Sequence, residues 1–171
     1  YEVTDPTIDS QIVSLQQSGA DAFFMTGIPK FDAMAIRKAY DIGWKPKIFF
    51  ISSTGSSVAT GIVPAGPEKA IGVMTAHYLK DPTDKQWANE PAYQTWRTWL
   101  EKYYPGADVN DVNNVYGYST AQTLVQTLKQ CGDDLSRENI MKQALSLDMA
   151  LPMAQPGIRV NPIGQITGQF E

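Results

Sequence analysis

The sequence predicts an α/β fold built around a parallel sheet, and two observations carry that reading. A helical pattern closed by a glycine is followed by a short apolar run, and this unit occurs twice between residues 10 and 51. A third apolar run follows at residues 70–75. Strands separated by helices in this way form parallel sheets with right-handed crossovers.

Residues 10–18 read as a helix, with Ile12 and Leu15 apolar and Gly19 as its stop. Residues 22–25 are apolar and too short for a helix, which predicts a buried strand. Gly27 and Pro29 break it. Residues 31–42 are helical again, with Met34, Tyr40 and Ile42 as candidates for the buried face and Gly43 behind them. Lys45 and Pro46 make a turn, residues 47–51 a second buried strand, and residues 52–57 a loop of small residues. With residues 70–75 the sheet reaches at least three parallel strands.

The character of the chain changes after Ala76. Asn89 is placed to cap a helix that has Pro91 in its first turn and runs to about residue 104. Residues 118–130 form another helix, with Ala121, Leu124, Val125 and Leu128 on one side and Gly132 behind it. Ser136 caps a third, which carries Ile140, Met141, Ala144 and Leu145. Residues 158–170 read as a hairpin turning at residues 161–164.

Composition narrows the function. Apolar residues make up 43% of the 171 and aromatics 11%, enough for a packed core. Net charge is −4 with no basic stripe, which argues against nucleic-acid binding. No apolar run approaches the roughly 18 residues of a membrane span. His77 is the one histidine and Cys131 the one cysteine, so neither a Ser-His-Asp arrangement nor an ordinary zinc site is expected. His77 reads as structural or solvent-facing, and Cys131 as a small residue near a helix end. No catalytic residue, metal or cofactor is assigned. The sequence of Trp87, Tyr93, Trp96, Trp99, Tyr103 and Tyr104 suggests a carbohydrate platform, but three-residue spacing on one helix face reads better as packing.

Position gives the binding signal. In open α/β sheets ligands sit beyond the carboxyl ends of the strands. Two such ends, residues 26–29 and 52–57, are rich in glycine and hydroxyl side chains, which let backbone approach a ligand and offer uncharged hydrogen bonds. Ordinary βα-loop chemistry gives the same pattern.

The run SQIVSLQQSGADAFFMTGIPKFDAMAIRKAYDIGWKPKIF resembles the second lobe of receptors of the branched-chain amino-acid-binding family, the type I periplasmic solute-binding proteins of ABC importers. AIGVMTAHYLKDPTD resembles the strand that crosses between the lobes, VYGYSTAQTLVQTLKQCG the helix that follows, and RVNPIGQ the late hairpin. The resemblance implies a three-layer parallel-sheet lobe, helices belonging to the other lobe, a C-terminal hairpin, and a chain that is a fragment of a longer receptor. Residues 1–75 would form part of the second ligand-binding lobe, residues 76–147 the helix-rich part of the first, and residues 148–171 the return to the second.

It further implies a periplasmic or extracytoplasmic bacterial protein that is not an enzyme, with a small-molecule solute and a membrane permease as partners. Its ligand contacts map to Gly27, Ile28 and Pro29, to Ser52, Ser53 and Thr54, and to Asn113, Asn114 and Tyr116 before the GYST helix. Family members that bind amino acids keep an aromatic near Ile28 and an acid near Ser52. With neither here, the resemblance points to a carboxylate, aromatic acid, amide or polyol rather than a leucine-like amino acid. Two other readings share the fold pattern: an effector-sensing domain of a regulator, and an α/β hydrolase, against which the histidine and cysteine counts stand. Unpaired strand edges would also let an isolated fragment self-associate.

Overall fold

The structure is a computed structural model that describes residues 2–162. The chain divides into two compact units, Tyr1–His77 and Tyr78–Glu171.

In the first unit, α1 (Asp9–Gln17) leads into β1 (Ala22–Met25), α2 (Pro29–Asp41) and β2 (Ile48–Ile51). β1 and β2 pair in parallel, with Ala22 opposite Ile48 and Met25 opposite Ile51. Strand alternation places Phe23, Met25, Phe49 and Ile51 against Ile8, Ile12, Phe31, Ile36 and Ala39 of the helical side. Each of the Phe, Ile and Met side chains contributes roughly 1.5–3 kcal/mol by leaving water. The opposite face is open: Phe24 is 66% exposed and its ring lies 5.7 Å from that of Phe50. The two strands are therefore half-buried rather than buried, and the described residues make two layers where three were expected.

The third strand reduces to a single bridge. Met74 donates to the Phe49 carbonyl and accepts from Ile51 N–H, in parallel sense. Residues 66–73 instead spend their amides on turns, Lys69 to Gly66, Ala70 to Pro67 and Val73 to Ala70, and Gly66 and Gly72 hold positive φ. A turn of π-helix (Val58–Ile62) and the short α3 (Val63–Ala65) precede this segment. Met34 and Ile42 pack against the core as expected, but Tyr40 is 54% exposed, because Phe31, Ala35 and Ala39 already fill the buried face.

In the second unit a turn of 3-10 helix (Lys85–Trp87) is followed by α4 (Pro91–Tyr103), α5 (Val112–Cys131), α6 (Arg137–Leu145) and an antiparallel pair, β3 (Met149–Ala150) with β4 (Arg159–Val160). Leu79 bridges Ala154 antiparallel, and Lys80 N–H reaches the Met153 carbonyl at 2.9 Å. The core joins Leu79, Trp87, Tyr93, Trp96, Leu100, Val112, Val115 and Met153. Packing is thus the role of the inner aromatics, while Trp99, Tyr103 and Tyr104 stay exposed.

Several boundaries differ from expectation. Glu90, not Asn89, precedes the first residue of α4, with no side-chain cap. α5 begins at Val112, six residues before Tyr118, because the Asp111 carboxylate accepts from Asn113 N–H and opens the helix there. Its buried face is Val112, Val115, Ser119, Thr127 and Cys131, so Leu124, Val125 and Leu128 face outward. Thr127 hides its hydroxyl by donating to the Thr123 carbonyl at 3.0 Å. Ser136 caps α6 as expected, although no residue of α6 is buried. β4 pairs with the upstream β3; the turn and second arm expected at residues 161–170 lie mostly outside the described residues.

Candidate ligand site

The first unit brings two of the expected loops together. Ile28 is extended (φ −98°, ψ 160°) and Pro29 opens α2, where its missing N–H costs nothing. Ser52 N–H donates to the Met25 carbonyl at 2.9 Å, which extends the pairing one residue beyond β2. That register sets Ser52 beside the end of β1, and its hydroxyl reaches the Gly27 carbonyl at 3.0 Å. Gly27, Ile28 and Pro29 are thereby tied to Ser52 at the carboxyl end of the parallel pair. Ser53 is half-buried and Thr54 exposed.

Beneath this contact lies an acid that is not among the expected site residues. Asp32, in the first turn of α2, is fully buried. Its Oδ2 lies 3.3 Å from Ser52 Oγ, and its Oδ1 has no hydrogen-bond partner. A Cβ on Gly27 or on Gly55 would overlap the Asp32 carboxylate, and one on Gly61 would strike the Gly55 carbonyl. The loops close over the acid because these three positions carry no side chain. Burial pushes the Asp32 pKa up from 3.8 to about 6, with the Ser52 hydroxyl opposing the shift. The signal in the sequence was the spacing: Asp32 shares the inward face of α2 with Ile36 and Ala39.

The rest of the small-residue loop satisfies itself. Gly55 N–H donates to Ser52 Oγ at 3.3 Å and Ser56 Oγ to the Ser53 carbonyl at 2.9 Å. Ser57, fully buried, caps the π-helical turn through Thr60 N–H. His77 Nε2 sits 2.6 Å from Ser56 Oγ, a serine partner that sequence distance had hidden. A largely apolar cavity of about 370 Å³ opens beside Ser56, lined by Ile51, Ile62, Pro67, Ala70 and Met74.

Asn113, Asn114 and Tyr116 belong to the second unit and lie on the first turns of α5, not on a loop before it. The Asn113 amide donates to Asp111 Oδ1 at 2.9 Å and that of Asn114 to the Asp108 carbonyl at 2.8 Å. Tyr116 is 54% exposed and borders a cavity of about 180 Å³ with Tyr78, Ser119 and Thr123. Burial and the neighbouring Tyr116 raise the Tyr78 pKa. Among the described residues no group of three or more His, Cys, Asp or Glu side chains is placed to hold a metal ion, and no helix is long and apolar enough to cross a membrane.

Residues 1–170 match the family described as "Periplasmic binding protein". No curated protein sequence matches the chain. Among solved structures, the chain is similar to a fatty acid ABC transporter substrate-binding protein from Thermomonospora curvata, with a TM-score of 0.68 at 23% identity over 90% of this chain and 39% of that one. It is similar to a leucine-binding protein from Thermotoga maritima, with a TM-score of 0.59 at 21% identity over 85% of this chain and 39% of that one. A periplasmic binding protein type 1 from Bordetella pertussis matches with a TM-score of 0.60 at 15% identity over 91% of this chain and 43% of that one. At these identities the likeness is one of fold. The chain spans 39% to 43% of the length of these structures.

Proposed function

The chain belongs to the periplasmic binding protein family, and from that premise we propose that it forms part of a two-lobed extracytoplasmic receptor that closes on a small solute and delivers it to the permease of an ABC importer. The observation that supports this most is the 3.0 Å bond from Ser52 Oγ to the Gly27 carbonyl, which sets two strand-end loops side by side where open α/β sheets bind ligands. In this reading residues 1–75 belong to one lobe and residues 76–147 to the other; of residues 148–171, expected to return to the first-named, residues 149–160 pack with the second unit, through the Leu79–Ala154 bridge and Met153 in its core. Closure about a hinge, with no bond made or broken, is the whole mechanism. The residues proposed to meet the solute are Gly27, Ile28, Pro29, Ser52, Ser53 and Thr54 of the first unit and Asn113, Asn114 and Tyr116 of the second.

The solute class follows from what the first-unit loops offer. Residues 26–29 and 52–57 carry no charged side chain, and Asp32 is sealed beneath them. A buried ammonium here would find hydroxyl and carbonyl acceptors but no accessible counter-charge, a cost of several kcal/mol. A small carboxylate, aromatic acid, amide or other neutral polar solute avoids it.

Calorimetry on the receptor with both lobes complete tests the proposal. Ser52→Ala, Asn113→Ala and Tyr116→Ala should each weaken binding about fivefold or more without unfolding the protein. Unchanged affinity in all three removes the site. Saturable binding of leucine-type amino acids, with none of acids or amides, removes the solute class.

A further inference from the structure

Three polar atoms surround Ser52 Oγ: the Gly27 carbonyl oxygen at 3.0 Å, Gly55 N at 3.3 Å and Asp32 Oδ2 at 3.3 Å. A serine hydroxyl has one hydrogen and two lone pairs. Gly55 N–H occupies one lone pair. The Gly27 carbonyl can only accept, so it takes the hydrogen. The remaining lone pair of Ser52 then faces Asp32 Oδ2, and two acceptors do not bond. The contact is satisfied only if Asp32 brings a hydrogen of its own.

The surroundings agree. An ionised carboxylate would leave a charged, unpartnered Oδ1 in a fully buried position, whereas a neutral acid leaves only a carbonyl oxygen there. Residues 22–28 and 51–65, which enclose Asp32 from β1, its loop, β2, the serine loop, the π-helical turn and α3, contain no ionisable side chain. On α2 itself, the Lys30 ammonium is held by the Asp5 carbonyl and Lys38 by Asp9, while Arg37, Tyr40 and Asp41 lie further along the helix, all three exposed. His77 is turned to Ser56. No cation is at hand to hold the carboxylate ionised. The raised pKa of Asp32 follows from the same burial.

We propose that Asp32 is a positioning residue that carries a proton on Oδ2, donates it to Ser52 Oγ, and so fixes the Ser52 hydroxyl on the Gly27 carbonyl and locks the two strand-end loops together. When Asp32 loses that proton, the Ser52 hydrogen turns to the carboxylate and the Gly27 carbonyl is released from it. The locked state offers a solute an uncharged floor and keeps the Ser52 hydrogen inside the protein. That consequence for the solute rests on the receptor reading; the proton itself does not.

The test is a carbon-detected NMR titration of the full chain labelled with ¹³Cγ-aspartate, with no solute added. One aspartate carboxyl should titrate with a midpoint near 6, assigned through the Asp32 β-protons, and its signal should be missing in Asp32→Asn. The assignment is made in the unsubstituted chain, so the result stands even where the variant fails to fold. If Asp32 titrates at or below its ordinary value, the proposal is overturned and the receptor reading is untouched. Failure of the calorimetric test above leaves the titration unaffected.

Discussion

The imidazole Nε2 of His77 lies 2.6 Å from the hydroxyl oxygen of Ser56, which itself donates to the Ser53 carbonyl at 2.9 Å. With the serine hydrogen on that carbonyl, Nε2–H is the donor to Ser56, so the histidine is not poised to take a proton from it. His77 is also the last residue of the first unit, and its bond ties the serine loop to the point where the chain leaves that unit. Ser56→Ala should cost about 1 kcal/mol in urea unfolding and leave hydrolysis of p-nitrophenyl acetate at the background rate of the unsubstituted chain. A burst of nitrophenol that vanishes in Ser56→Ala would reinstate a catalytic reading.

Asp32 makes stability depend on pH with a defined sign. The unfolded chain releases this proton at the ordinary value of 3.8 and the folded chain at about 6. Between the two, the folded state holds a proton that the unfolded state has lost. Stability from this group is fully present below 3.8, falls as pH rises, and is gone above 6, a total of about 3 kcal/mol. Asp9 and Asp134, whose pKa values are lowered, act in the opposite sense at lower pH. Unfolding midpoints for the chain and for Asp32→Asn, taken from about pH 3.5 to about pH 7, isolate the effect. The variant should lose the downward slope; parallel curves would refute it.

Gly55 and Gly61 test the close contacts, with Gly117 as the control. Gly55→Ala sets a methyl group into the Asp32 carboxylate and Gly61→Ala sets one into the Gly55 carbonyl. Each should destabilise by about 1–3 kcal/mol, the usual range for overpacking. Gly117→Ala, where an added Cβ meets nothing, should be neutral or stabilising by about 0.5–1 kcal/mol within its helix. Thermal unfolding of the three variants would rank them, and equal Tm values would dispose of the close-contact account.

Lys80 is a buried ammonium held by Glu90 and the Pro152 carbonyl, with the Trp87 ring 5.2 Å away. Losing Glu90 strands a buried ammonium, whereas losing Lys80 leaves a carboxylate that is partly exposed to water, so the first change costs more. Glu90→Gln should cost about 3 kcal/mol, at the low end of the buried range because Glu90 is partly exposed. Lys80→Met should cost less. The reverse order in chemical denaturation would show that the ion pair carries little of the stability.

Phe24 stands out of the open sheet face at 66% exposure, on a two-stranded sheet. Such a surface favours association between copies. Sedimentation velocity should show the weight-average mass rising with concentration, and Phe24→Lys should flatten that rise. Monomer at every concentration would reject it.

How far the sequence could be read depends on where each signal resides. β1, α1, α2 and β2 were legible because their glycine stops and apolar runs are local. The third strand was not, since the hydropathy of residues 70–75 says nothing of the turns that Gly66 and Gly72 impose on the amides before Met74. The first six residues of α5 were not legible, because its cap, Asp111, is hidden among other polar residues that read as loop. At the site, the junction of Gly27 with Ser52 followed from strand order alone. Asp32 did not, because one acid on an apolar helix face has meaning only when the glycines across from it are known. His77 and Ser56 are joined by a fold of twenty-one residues that no local pattern encodes.

Cys131 closes α5, buried, with its backbone carbonyl accepting from the Asn139 side chain. As the one thiol in the chain, it is a built-in clock for the second unit. A thiol reagent can reach it only when the end of α5 comes apart, so at saturating reagent the labelling rate equals the opening rate, and at low reagent it scales with the population of open molecules. Rates for variants of the first unit would then show, with no label introduced, whether loosening one half of the chain is felt in the other.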